Sequence, residues 1–93
     1  MMMYEFQMRS VQLTFSAAMH DKAGLESYVD WAKQFLHNTP RAIVYARLVY
    51  ALEQLNDQQQ AQFWLDEGKR LFPHAEFLQK ISLSSTPVVS DTK

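Results

Sequence analysis

The 93-residue sequence predicts an all-α domain, two antiparallel helical hairpins closed by a short C-terminal helix. Three observations predict it. Apolar residues recur at three- and four-residue steps along most of the chain, the period of a helix with one buried face. Only two Gly and three Pro occur, too few for the tight turns of a many-stranded sheet. A shift of 36 residues lays one helical segment on another: Leu25 on Ala61, Tyr28 on Trp64, Val29 on Leu65, Ala32 on Gly68 and Leu36 on Phe72. Such self-similarity marks a repeated unit, and the small residue it keeps lets two helices approach closely.

The first helix is expected over residues 4–20. Met8, Val11, Phe15 and Ala18 or Met19 recur at helical steps and form its expected buried stripe. Its register against the third helix stays open. A 34-residue shift pairs Val11 with Tyr45 and Phe15 with Val49, but it sets Thr14 against Leu48. A short turn around Gly24 follows, with Asp21 as the expected N-cap of the second helix. That helix carries Leu25, Tyr28, Val29, Ala32, Phe35 and Leu36 on one side.

Residues 37–40 break the second helix. Thr39 before Pro40 reads as a start signal, a capping hydroxyl with proline at the first helical position. The third helix is expected over residues 40–55, with Tyr45, Leu48, Val49 and Leu52 inward. Asn56 and Asp57 make the next turn, and Asp57 with Gln60 has capping-box spacing. The fourth helix presents Ala61, Trp64, Leu65, Gly68, Leu71 and Phe72, and Pro73 ends it by clashing with any continuation. A fifth helix over residues 74–83 closes the stack through Leu78, Ile81 and Phe77. Residues 1–83 thus form one domain, and residues 84–93, Ser/Thr-rich with Pro87, are expected to be a disordered tail.

Composition narrows the function. A hydrophobic fraction of 47% with 13% aromatics suits a folded domain. The core such a short chain can close is modest, so marginal stability or packing against a partner is expected. A formal net charge of −1 supplies no field to recruit nucleic acid or an anionic membrane surface. The absence of cysteine excludes disulfides, thiol catalysis and cysteine-based zinc sites. No apolar run approaches the roughly 18–20 residues that span a bilayer. The longest, over residues 42–55, is interrupted by Arg47 and Glu53, so this segment is not expected to insert into a membrane.

No catalytic, cofactor-binding or metal-binding residue is assigned. His20, His37 and His74 lie far apart and read as exposed. Ser10, Ser16 and Ser27 lack the strand–turn–helix elbow of a nucleophilic hydrolase. Gly24 reads as a helix start and Gly68 as a packing position, with neither in a phosphate-cradling loop. Lys22 with Glu26, Asp66 with Arg70 and Glu76 with Lys80 are spaced for surface ion pairs on helices.

The stretch Ala42 to Pro73, AIVYARLVYALEQLNDQQQAQFWLDEGKRLFP, resembles a tetratricopeptide hairpin. Tyr45, Leu48, Val49 and Leu52 match its first helix, Ala61, Leu65 and Gly68 its second, and Pro73 its end. Tyr45 stands where the family usually has Trp, Val49 where it has a small residue, and Leu52 where it often has Tyr. Residues 4–40 resemble a longer, looser copy. The resemblance implies that the first helix of each hairpin faces a concave groove. In that register Ile43, Ala46, Tyr50 and Glu53 point into the groove with Arg47 beside them. Tyr50 is the foremost binding residue, because an exposed aromatic flanked by apolar and charged groups makes an interface anchor.

A narrower resemblance covers residues 28–77. The Thr39-Pro40 entry, the Tyr45-Ala46-Arg47-Leu48 helix and the Arg70-Leu71-Phe72-Pro73 ending look like the C-terminal soluble segment of bacterial membrane-bound polymerases. These are the Wzy-type O-antigen polymerases and the related protein O-oligosaccharyltransferases. The resemblance implies a helical-repeat appendage on the periplasmic face of the inner membrane. The resemblance also implies that the catalytic residues belong to the membrane domain and its periplasmic loops, and no position here matches them. The expected function is therefore a non-catalytic interaction or scaffolding module within a glycan-assembling or protein-glycosylating enzyme. Its partner is a protein, a peptide or its own membrane domain. Two alternatives remain: a free-standing cytoplasmic adaptor, and a small regulatory bundle that homodimerises through its apolar surface.

Overall fold

The computed structural model describes residues 2–81, with side chains from residue 7 onward. The elements are α1 (Met2–Met19), α2 (Lys22–Asn38), α3 (Ala42–Gln54), α4 (Gln58–Leu71) and α5 (Glu76–Gln79). Helices α1 and α2 form one antiparallel hairpin, α3 and α4 the second, and α2 packs along α3 to join them. Every regular element among the described residues is helical. The predicted tail, residues 84–93, lies outside the described residues.

The two hairpin turns are built alike. Both His20 and Asn56 adopt the left-handed conformation, at φ 56° and 62°. His20 N–H donates to the Ala17 carbonyl and Asp21 N–H to the Ser16 carbonyl; Asn56 N–H donates to Glu53 and Asp57 N–H to Leu52. This pairing satisfies the last carbonyls of each helix as a Schellman motif does. An aspartate then caps the next helix: Asp21 accepts from Gly24 N–H and Asp57 from Gln60 N–H, each at 3.2 Å. The Gln60 side chain turns to the Asp57 carboxylate at 2.7 Å and leaves the Asp57 N–H to Leu52, a departure from the reciprocal capping box. His20-Asp21 and Asn56-Asp57 are 36 residues apart, so the sequence repeat extends through the turns.

Several expectations need correction. Helix α2 runs on through His37 to Asn38, and Thr39 ends it by donating its N–H to Phe35. Thr39 is extended, as a residue before proline must be, and it does not cap α3. That helix begins two residues past Pro40, with Arg41 as an N-cap that makes no side-chain bond. Helix α5 is only four residues long; Leu78 is buried and Ile81 half-buried, but Phe77 is exposed. Leu71 is exposed because it sits on the outer side of the last turn of α4. Arg70 pairs with Glu67 at 2.6 Å, not with Asp66, whose carboxylate accepts from Gln62.

The core joins both hairpins. Leu25, Tyr28, Val29, Ala32 and Leu36 from α2 meet Val44, Tyr45, Leu48, Val49, Ala51 and Leu52 from α3, with Ala61 and Leu65 from α4 and Leu78 from α5. Each fully buried Leu or Val contributes about 1.5–3 kcal/mol relative to exposure. Tyr45 lies between the rings of Trp64 and Phe72, at 6.2 and 6.0 Å, and over Gly68, where a Cβ would come within 3.0 Å of it. That approach bears out the packing role read for Gly68. Lys33 on α2 donates to Gln60 on α4 at 2.6 Å, bridging the hairpins.

The largest correction concerns α1. The expected stripe faces away from the core: Met8 is 52% exposed, Val11 65%, Phe15 63% and Met19 62%. The inward residues are Leu13, Ser16 and Ala17. The cause is the close approach of α2, since a Cβ on Gly24 would lie 2.2 Å from Ser16 Oγ. Only a face with a small residue at position 16 fits there. The register is therefore 36 residues, not 34: Leu13 corresponds to Val49 and Ser16 to Leu52.

Candidate functional site

Ile43, Ala46, Tyr50 and Glu53 follow one another at steps of three and four on α3, so they share one face of that helix. Tyr50 is its exposed centre, with 44% of its surface open. Ile43 and Ala46 are half-buried and packed against the core, and Glu53 is half-buried below them. Arg47 stands half-buried at the edge. The five predicted residues thus share one side of α3, and Tyr50 is the most exposed of them.

The structure continues this face onto α1. Arg47 donates from Nη1 to the Ser10 hydroxyl on α1. Thr14, one turn further, donates its hydroxyl to the Ser10 carbonyl at 3.1 Å. Under the 36-residue shift Ser10 is the counterpart of Ala46 and Thr14 of Tyr50. The sequence reading missed both, although the shift that finds them was already visible in α2 and α4. What hid them was the outward stripe of α1, which suggested a 34-residue register.

Tyr28 lies in the core close enough to feel the charge of Arg47. It is fully buried, and its hydroxyl has no hydrogen-bond partner among the described residues. Burial pushes its pKa up to about 12, against a partial downward pull from the Arg47 charge. A buried hydroxyl resists ionisation because water no longer solvates the anion. The phenol therefore stays neutral at physiological pH. On α2, the Trp31 ring packs at a tilt against Tyr28 and Phe35 at 5.5 and 5.1 Å, and the Arg9 guanidinium sits 5.8 Å from its ring centre. That cation–π contact fastens α1 to α2.

This arrangement suits binding. An exposed phenol offers a ring to stack and a hydroxyl to share, and a guanidinium held by Ser10 keeps a fixed direction. Among the described residues no group of three or more His, Cys, Asp or Glu could hold a metal ion. No helix of the described residues is long and apolar enough to cross a membrane.

A family model described as virulence factor membrane-bound polymerase, C-terminal, matches residues 3–85. The chain belongs to this family. The match runs from the first turn of α1 past the end of α5, so both hairpins and the closing helix are the polymerase C-terminal domain. The curated proteins and the solved structures gave no match to the chain. The family agrees with the second resemblance read from residues 28–77 and extends it over α1.

Proposed function

We propose that this polymerase C-terminal domain is a non-catalytic docking module of tetratricopeptide-like build. It serves a glycan polymerase or protein O-oligosaccharyltransferase on the periplasmic face of the inner membrane. Its work is to position the enzyme, a partner protein or a carrier-linked substrate through the face centred on Tyr50. The carrying observation is the exposure of Tyr50 on the face of α3 that also carries the half-buried Ile43 and Ala46, beside an arginine oriented from α1. An aromatic held open at such a place gains free energy only when something covers it. Membership of a membrane-bound polymerase family supports the setting.

The test is Tyr50→Ala in two contexts. In the 93-residue chain it leaves helical circular dichroism and the melting temperature essentially unchanged, since the ring is an exposed group on a packed helix. In the polymerase it shortens or abolishes the polymeric product. Unfolding of the variant would place Tyr50 in the core, and an unchanged product in a folded variant would remove the docking role.

A further inference from the structure

Helix α1 carries two apolar faces, and only one is used. Leu13, Ser16 and Ala17 meet α2, while Met8, Val11, Phe15 and Met19 form a continuous stripe open to solvent. The 36-residue repeat says what belongs on that stripe. Met8 and Phe15 correspond to Val44 and Ala51 of α3, Met19 to its C-cap Leu55, and Val11 to the half-buried Arg47. Val44 and Ala51 are fully buried and Leu55 is packed on the core. Seven and eleven residues apart, these three lie on one flank of α3, and Tyr45 marks another flank, turned to α4. Besides α4, the main helix packed on α3 is α2, and α1 adds a smaller contact that includes the Arg47–Ser10 bond. The equivalent flank of α1 has no helix over it among the described residues.

We propose that this flank seats an amphipathic helix from the same polymerase polypeptide, outside residues 1–93, lying on α1 as α2 lies on α3. This rests on reading the chain as one part of a membrane-bound polymerase. Size favours an intrachain helix over a second copy of the domain. Four half-exposed side chains offer on the order of 400 Å² of apolar surface, the range of a functional patch on a monomer. A stable interface between separate molecules takes about 800 Å² from each partner. A tethered helix needs less, because its effective concentration is already in the millimolar range.

The chemistry of the occupant follows from its seat. Gln7, Gln12 and Thr14, which border the stripe among the described residues, carry no charge. Phe15 replaces Ala51 and Met8 replaces Val44, so α1 presents the bulkier surface. The incoming helix therefore has an apolar stripe like that of α2, with a small residue opposite Phe15.

The experiment places a benzophenone photo-crosslinking amino acid at Phe15 of the full polymerase, with a control at the exposed Gln62 on α4, and maps products by mass spectrometry. The expected product joins Phe15 to an amphipathic segment of the same polypeptide outside residues 1–93, and Gln62 does not reach that segment. In parallel, Phe15→Asp in the 93-residue chain leaves the melting temperature unchanged, and in the polymerase it abolishes crosslinking from a probe at Met8. A product joining two copies at Phe15, an acyl-chain adduct, or no product beyond the control overturns the inference. So does a 93-residue chain that sediments as a dimer and is dissociated by Phe15→Asp. If Phe15 fails while Tyr50→Ala still alters the product, only this inference falls; if Phe15 crosslinks as stated and Tyr50→Ala is silent, only the docking face falls.

Discussion

Replacing Gly24 by alanine tests what sets the position of α1. The glycine lies in the first turn of α2 where the two helices of the first hairpin come closest. A Cβ there would meet Ser16 Oγ at 2.2 Å, Asp21 Oδ2 at 2.8 Å and Ser16 Cβ at 3.0 Å. The hydroxyl can rotate away, but Ser16 Cβ moves only with the α1 backbone, and Ser16 is buried. Asp21 moves only by loosening the cap it makes to Gly24 N–H. Overpacking of this kind costs about 1–3 kcal/mol, and losing the cap costs about 1 kcal/mol. Alanine regains about 1 kcal/mol of helix propensity. The net expectation is a loss of about 1–3 kcal/mol. In a domain of this size each kcal/mol lowers the melting temperature by about 4–8 °C. Thermal and urea unfolding followed by far-ultraviolet circular dichroism measures it. Ser16→Ala removes the nearest atom, so the double variant should lose less than the sum of the singles, with a coupling of about 0.5–3 kcal/mol. A Gly24→Ala protein as stable as the parent, or strictly additive losses in the cycle, would refute the account of α1.

Two further outcomes follow from the core. Leu65→Ala should cost about 2–5 kcal/mol through the cavity it leaves between α3 and α4, and an unchanged urea midpoint would remove Leu65 from the core. Tyr28→Phe deletes a buried hydroxyl that lacks a partner, so at neutral pH it should leave stability unchanged or raise it by about 1 kcal/mol. The Tyr28 pKa of about 12 in the folded state exceeds the unfolded value near 10. The unfolded chain then loses its proton first, and the parent loses about 1.4 kcal/mol per pH unit between pH 10 and about 12. The difference between parent and Tyr28→Phe, followed across that window, should show this slope; parallel curves would contradict it.

How far the sequence revealed the fold depended on the element. In α2, Leu25, Tyr28, Val29, Ala32 and Leu36 of the expected stripe are buried, and Phe35 is half-buried and packed on the core. Asp21 and Asp57 cap through bonds to residues three positions away, so their role was readable locally. The start of α3 was misread because Thr-Pro serves equally to end one helix and to begin another. The binding face was half legible. Tyr50 and its neighbours follow from the period of α3, but Ser10 and Thr14 join them only once α1 is set in its register.

By itself the sequence determined five helices, two repeated hairpins and their turns, because helical period and capping are interactions among residues a few positions apart. The tertiary structure alone decided which face of α1 turns inward. Leu13–Ser16–Ala17 and Met8–Val11–Phe15–Met19 both have helical spacing, and hydrophobicity favours the second. Contact with Gly24 selects the first, because only a small side chain at position 16 fits where two backbones approach that closely. That choice leaves Arg47 joined to Ser10, Tyr50 open beside them, and the large apolar flank of α1 facing outward.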